Sequence, residues 1–232
     1  PIPPSTFAAM AGAHVIVNLS ASDDLVGKYT YLRNLVMRQS ALCICAYVYS
    51  SAGYGESSTD LVFDGKAFVA ENGTMLSTNR RWQRGPQLTV ADIDIEMLRR
   101  GRMHVGSFAD CSRQNVKEPY LIVDCGAKSL PQNAPDLLRH VNPLPFVPET
   151  ECMSQRCEEI VGIQVAGLCR RLEFTHCRSL VIGISGGLDS TLALLIAVRA
   201  FDSLNLDRKG ICGVTMPGFG TTGRTHDNAV AL

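Results

Sequence analysis

The chain has 232 residues, 46% hydrophobic and 19% charged, enough apolar mass to fold as one large domain or two small ones and too little charge for a disordered segment. Lys plus Arg equals Asp plus Glu at 22 each, so no net field steers the protein to nucleic acid or to an anionic membrane. No apolar run reaches the roughly 18 residues of a membrane span, and no basic-then-apolar leader opens the sequence as given.

Residues 1–13 predict a short helix, with Pro3 and Pro4 ahead of Ser5 and Thr6 and an apolar face of Phe7, Ala8, Met10 and Ala11. Residues 14–19 predict a strand, and 29–42 a helix with Leu32, Leu35 and Val36 on one side. The nearly continuous apolar run at 43–49 reads as a strand buried on both faces. That places Cys43 and Cys45 inside a strand, not on the exposed turn that a nucleophilic cysteine needs. After a Gly- and Ser-rich loop, three short strands are predicted at 61–63, 67–70 and 75–77. They are joined by Asp64-Gly65 and Asn72-Gly73, the strongest short hairpin signals. Residues 88–95 alternate as a strand, and a helix is predicted at 96–102.

From residue 106 the periodicity fades, and Pro119, Pro131, Pro135, Pro143, Pro145 and Pro148 cluster. A linker at 111–150 therefore divides a first domain, 1–110, from a second, 151–232, with room for a short strand at 120–123. The second domain predicts a helix at 157–174, a buried strand at 180–184, an apolar helix at 190–201 and a strand at 211–215. The two strands start at 180 and 211, a spacing that suits a βαβ unit of a parallel sheet. The nine cysteines are odd in number and form no CxxC pair. They read as small core residues of a reducing, cytoplasmic protein and not as a zinc site.

The most informative segment is Ser185-Gly186-Gly187-Leu188-Asp189-Ser190, between the strand and the apolar helix. Gly186 and Gly187 allow a sharp turn, so their N–H groups and those of the first helical turn can face one anion at the positive end of the helix dipole. The Ser185 and Ser190 hydroxyls add donors, and Asp189 suits a Mg²⁺ that bridges phosphates. The segment is neither a Walker A loop nor a GxGxxG dinucleotide fingerprint. A second loop, 216–225, leaves the neighbouring strand at the same carboxyl edge, where open α/β sheets bind ligands. Arg224 and the threonines there suit either substrate contact or a solvated loop with a helix cap at Thr225. Glu56, on a Gly-rich loop with no visible partner, reads as structural.

SGGLDS resembles the phosphate loop of the ATP-pyrophosphatases, which cleave ATP between its α- and β-phosphates. GMP, asparagine and argininosuccinate synthetases and tRNA-thiolating enzymes share that loop. The N-terminal half separates them. AHVIVNLSAS, CAYVYSSAGYGESSTDLVFDG, AENG and QLTVADIDIEMLRRGR resemble the nitrilase-like glutaminase half of glutamine-dependent NAD⁺ synthetases. FVPETECMSQRCEEIVGIQVAGLCRRL and VTMPGFGTTGRTHDNAV continue the likeness across the junction.

The resemblance implies an α/β fold: part of a nitrilase-like αββα sandwich, then the first βαβ unit of a doubly wound, parallel-sheet ATP-pyrophosphatase domain. It implies that Gly183, Ile184, Ser185, Gly186, Gly187, Leu188, Asp189 and Ser190 line the ATP phosphates, with Asp189 a ligand of Mg²⁺. Ser22 matches a position that contacts glutamine, and Lys28 a basic position, often Arg, in the same region. The glutaminase Glu, Lys and Cys are expected before Pro1, so the chain holds none of that catalytic set, and further βα units are expected after Leu232. The implied substrates are glutamine, ATP and deamido-NAD, acted on by a cytoplasmic homo-oligomer. His226 and Gly223 stand where the family commonly has Tyr and Asp. The competing readings are a non-catalytic truncated gene product and another ATP-pyrophosphatase amidotransferase.

Overall fold

Residues 2–115, 120–126, 136–148, 150–219 and 222–232 are described by a computed structural model. Pro119, Pro131 and Pro135 of the proline cluster, and Gly220 and Thr221 of the second loop, lie outside the described residues. The chain divides into two units, Pro1–Val141 and Asn142–Leu232. No described helix is long and apolar enough to cross a membrane.

In the first unit α1 (Pro4–Met10) opens on a proline at its first turn, where a missing N–H costs nothing. Strand β1 (Val15–Ser20) pairs in parallel with β2 (Ala46–Ser51), and α2 (Lys28–Leu42) makes the crossover. Strand β3 (Ala67–Glu71) is antiparallel to β2, and β4 (Thr74–Thr78) is antiparallel to β3, so the sheet order is β1-β2-β3-β4. Asn72 and Gly73, both with positive φ (44° and 87°), make the tight turn between β3 and β4 that their sequence predicts. The core joins Val36 of α2 to Tyr47, Tyr49, Phe68 and Ala70 of the sheet. Phe68 stacks on Tyr49 at 5.6 Å and takes the edge of Tyr29 at 5.4 Å.

Five local predictions fail. Cys43 and Cys45 are not in a strand: α2 ends at Leu42, Ile44 turns through a left-handed φ of 43°, and β2 begins at Ala46. Residues 61–63 form no strand, because Asp64 is drawn inward to a buried ion cluster instead of turning a hairpin. There the Lys66 ammonium lies 2.7 Å from Asp64 and 3.1 Å from Asp24, and Arg81 also pairs with both carboxylates. Residues 88–95 form no strand; Asp94 instead caps α3 (Ile95–His104) by accepting the Met97 N–H. Its own N–H donates to the buried Glu71 carboxylate, which also holds Arg139 at 2.7 Å. Residues 106–115, where periodicity fades, form helix α4 (Gly106–Asn115), which buries no residue and so carries no apolar stripe to read. Residues 120–123 form no strand either.

The second unit opens on α5 (Met153–Thr175), closed by His176 in the left-handed region at φ 56°. Strand β5 (Leu180–Gly183), helix α6 (Leu188–Ser203) and strand β6 (Ile211–Val214) form a parallel βαβ unit, followed by α7 (Gly223–Ala231). Helix α6 buries Ile196, Ala197, Ala200 and Phe201. The strand expected to be buried is not: with β6 as its partner in a two-stranded sheet, Val181 remains 72% exposed.

Candidate functional site

The carboxyl ends of β5 and β6 define the site in the second unit. Past Gly183, the Ile184 N–H still donates to the Val214 carbonyl at 2.8 Å, which extends the parallel pairing by one residue. The chain then turns through Gly186 at φ 76° and enters α6 with Gly187 as N-cap. The first helical hydrogen bond runs from the Thr191 N–H to the Gly187 carbonyl at 3.2 Å. The N–H groups of Leu188, Asp189 and Ser190 thus lie in the turn where a helix has no internal acceptors, the end that favours negative charge.

In this state the loop closes on itself. The Ser190 hydroxyl donates to the Gly187 carbonyl at 3.0 Å and accepts the Ser185 N–H at 3.3 Å, and the Ser185 hydroxyl accepts the Gly187 N–H at 3.3 Å. Most of these bonds are at the long limit, so a stronger anionic acceptor can replace them. Asp189 is exposed on the first turn of α6. It fits Mg²⁺ as one carboxylate that needs phosphate oxygens to complete the shell, the usual way that ion is held. No group of three or more His, Cys, Asp or Glu among the described residues forms a dedicated metal cage.

The second loop comes to the first through α7. The Asn228 side-chain amide donates to the Gly186 carbonyl at 3.4 Å. Thr222 is the helix cap, accepting the Thr225 N–H, where the sequence suggested Thr225. A cavity of about 530 Å³ opens between the two, lined by Gly186, Gly187, Thr191, Arg224, Thr225 and Asn228 among others. Arg224, exposed on the first turn of α7, is among these lining residues. Thr191 and Asn228 were not singled out from sequence. For Thr191 the signal was there, a second hydroxyl directly after Asp189-Ser190; Asn228 offers no local signal.

A Cβ on Gly186 would overlap the Thr225 carbonyl oxygen and press on the Ala229 nitrogen at 3.1 Å, whereas Gly187 has an ordinary φ of −95° and meets only the Ser185 hydroxyl at 3.4 Å. Gly186→Ala is expected to destabilise the second unit by at least the about 1–2 kcal/mol of a left-handed L-residue, and Gly187→Ala by well under 1 kcal/mol. Denaturant melts of the two variants check this; equal midpoints would show that α7 does not close on Gly186.

In the first unit, Ser22 lines a cavity of about 210 Å³ with Asn18, Ser20, Gln39, Tyr47 and Tyr49. Asn18 donates to the Tyr47 hydroxyl at 2.9 Å. The Tyr49 hydroxyl is buried with no hydrogen-bond partner among the described residues. Lys28, the first residue of α2, is not in that lining; its ammonium pairs with Asp23 at 2.7 Å. The hydrogen bond from Lys28 holds the Asp23 carboxyl below the usual carboxylate range. The structure thus sets residues 183–190 as the end of β5, a tight turn and the first turn of α6, and places Ser22 between β1 and α2 and Lys28 at the start of α2 without a shared cavity.

Residues 160–232 match the family described as NAD synthase. The glutamine-dependent NAD(+) synthetase of Mycobacterium leprae is 43% identical over 100% of this chain and 34% of that protein. The enzyme of the same name from Thermotoga maritima is 28% identical over 100% of this chain and 37% of its own length. Among solved structures, the glutamine-dependent NAD+ synthetase from Acinetobacter baumannii, in complex with adenosine diphosphate, aligns over 96% of this chain and 32% of that chain, at 21% identity and a TM-score of 0.34. The chain spans about a third of the length of the curated relatives it matches. From its first residues to its last, then, the chain is similar to glutamine-dependent NAD⁺ synthetases, over about a third of their length.

Proposed function

We propose that the chain is a working segment of a glutamine-hydrolysing NAD⁺ synthase, a ligase that amidates deamido-NAD to NAD⁺ with release of AMP and pyrophosphate. The observation that carries this reading is the SGGLDS loop between β5 and α6 of a parallel βαβ unit, with Arg224 and Asn228 of α7 drawn up to it. On this reading, residues 1–110 belong to a nitrilase-like glutaminase domain, 111–150 to a linker, and 151–232 to an ATP-pyrophosphatase domain of a cytoplasmic homo-oligomer.

The loop's work is electrostatic. Negative charge develops on the leaving pyrophosphate when the carboxylate of deamido-NAD attacks the α-phosphate of ATP. On this reading the N–H groups of Leu188, Asp189 and Ser190, free of helical acceptors at the start of α6, stabilise that charge, and the Gly187 N–H and the Ser185 and Ser190 hydroxyls exchange their long internal bonds for it. Asp189 would hold Mg²⁺, which when bound would supply Lewis-acid neutralisation of the phosphate oxygens. Ammonia released from glutamine then displaces AMP from the adenylate.

The test is to assay the intact synthetase of which, on this reading, the chain is a part. With ATP and deamido-NAD it should form NAD⁺ from either glutamine or ammonia, releasing one AMP and one pyrophosphate per NAD⁺. ADP and phosphate as products would overturn the reading.

Ser22 serves glutamine in this proposal, with the unpaired Tyr49 hydroxyl beside it in the same cavity. Ser22→Ala is expected to raise KM for glutamine by roughly 10- to 100-fold, the worth of one hydrogen bond to a charged ligand. Ammonia-supported synthesis should stay nearly unchanged. Equal damage with both nitrogen donors would contradict the assignment.

A further inference from the structure

The peptide planes of Gly186 and Gly187 decide what the loop after β5 offers an anion. In a trans peptide the carbonyl of one residue and the N–H of the next point in opposite directions. Whatever holds a carbonyl therefore aims the N–H that follows it. Between two glycines no Cβ opposes a flip of the plane, so the partners of the carbonyls set which way each N–H faces.

The Gly187 carbonyl is held from within the loop and α6. It accepts the Ser190 hydroxyl at 3.0 Å, the Thr191 hydroxyl at 2.9 Å and the Thr191 N–H at 3.2 Å. The Gly186 carbonyl has no such partner among the described residues of the loop or α6. Its hydrogen bond comes from α7, where the Asn228 side-chain amide donates to it at 3.4 Å. That bond is long and exposed, but it does not act alone. Gly186 is wedged against the same helix: a Cβ there would overlap the Thr225 carbonyl oxygen and lie 3.1 Å from the Ala229 nitrogen. With its Cα seated on α7 and its carbonyl turned to Asn228, the plane sends the Gly187 N–H the opposite way, into the loop. There it donates to the Ser185 hydroxyl at 3.3 Å. A flipped plane would put the Gly186 carbonyl oxygen in that place, the wrong end of a dipole for a phosphate.

We propose that Asn228 is a positioning residue for pyrophosphate: its amide holds the Gly186 carbonyl against α7 so that the Gly187 N–H faces the anion. The inference rests on the reading of Ser185–Ser190 as a phosphate loop. Bound pyrophosphate accepts the Gly187 N–H in place of the Ser185 hydroxyl, and Asn228 keeps that donor aimed as the partners exchange. Asn228 acts through the glycine peptide, from 42 residues further along the chain. It thereby gives α7 a task in anion binding as well as in walling the cavity that it shares with Gly186 and Gly187.

The test measures, by calorimetry in the presence of Mg²⁺, the Kd of inorganic pyrophosphate and, separately, of AMP for the intact synthetase and its variants. Asn228→Leu keeps the size of the side chain and removes its donor. Its Kd for pyrophosphate should rise roughly tenfold, the scale of one lost hydrogen bond to a charged ligand, while its Kd for AMP stays unchanged. Asn228→Ala, a strong helix former that cannot strain α7, should show the same contrast. A role confined to stability would weaken both ligands together or neither. Variants that bind pyrophosphate as the unaltered enzyme does, or that lose AMP to the same extent, would overturn the proposal while leaving the phosphate loop intact. An unaltered synthetase that binds no pyrophosphate would instead overturn the phosphate-loop reading, and this proposal with it.

Discussion

Asp189→Asn is expected to cut ammonia-supported NAD⁺ formation by roughly a hundred- to a thousandfold, the scale on which a transition-state charge contact counts. The substitution keeps the shape of an exposed side chain and removes only its charge. Ammonia as nitrogen donor bypasses glutamine hydrolysis, so the loss reports on the synthetase half alone. A bland role for the same carboxylate is well defined. Asp189 sits in the first turn of α6, where an acidic residue favours the helix dipole by about 0.3–1 kcal/mol. If that were its whole purpose, the variant would lose a little stability and no activity. Thermal unfolding measured beside the NAD⁺ assay separates the two roles. A variant that unfolds slightly earlier yet turns over normally would remove Asp189 from the mechanism.

The strand, turn and helix around Ser185–Ser190 were legible in the sequence because their determinants are local. A β5 strand, two glycines, a hydroxyl on each side and an apolar helix all lie within 180–203, and each acts over a few residues. The Asn72-Gly73 turn was legible for the same reason: both residues accept the positive φ that the turn needs. Asp64-Gly65 carries the same local signal and fails, because its carboxylate is claimed by Lys66 and by Arg81, 17 residues on. Cys43 and Cys45 look like strand residues because a buried turn and a buried strand are equally apolar. Helix α4 was invisible because it buries nothing. The closure of α7 on Gly186 joins positions 42 residues apart, and no period or spacing announces it.

Lys66, after Asp64-Gly65, carries no local sign of burial and is 0% exposed. Lys66→Met is expected to destabilise the first unit by about 3–5 kcal/mol, the effect of leaving a buried charge without its partner. Burial alone would push the Asp64 carboxyl up, but the hydrogen bonds from Lys66 and Arg81 outweigh it and hold the group below its ordinary range. Lys66 is raised in turn, because the two aspartates overcome its own burial. Sign follows from direction. With Asp64 depressed in the folded state, its contribution is present above the unfolded carboxylate value of about 3.9 and is lost as pH falls through the folded one. With Lys66 raised, its contribution holds below the unfolded lysine value of about 10.4 and is lost only as pH rises through the folded one. The Asp64–Lys66 pair is therefore charged and stabilising between about pH 4 and 10. In Lys66→Met, Arg81 is left to serve both Asp24 and Asp64, one buried carboxylate goes unpaired, and its folded value must rise above the unfolded one. That reverses the slope: as pH falls from 7 to 5 the variant should gain stability relative to the unaltered chain. Denaturant midpoints for the first unit's transition across that range measure it. A deficit that is small at pH 7, or that grows as pH falls, would mean that Lys66 is not the counter-ion that keeps Asp24 and Asp64 buried.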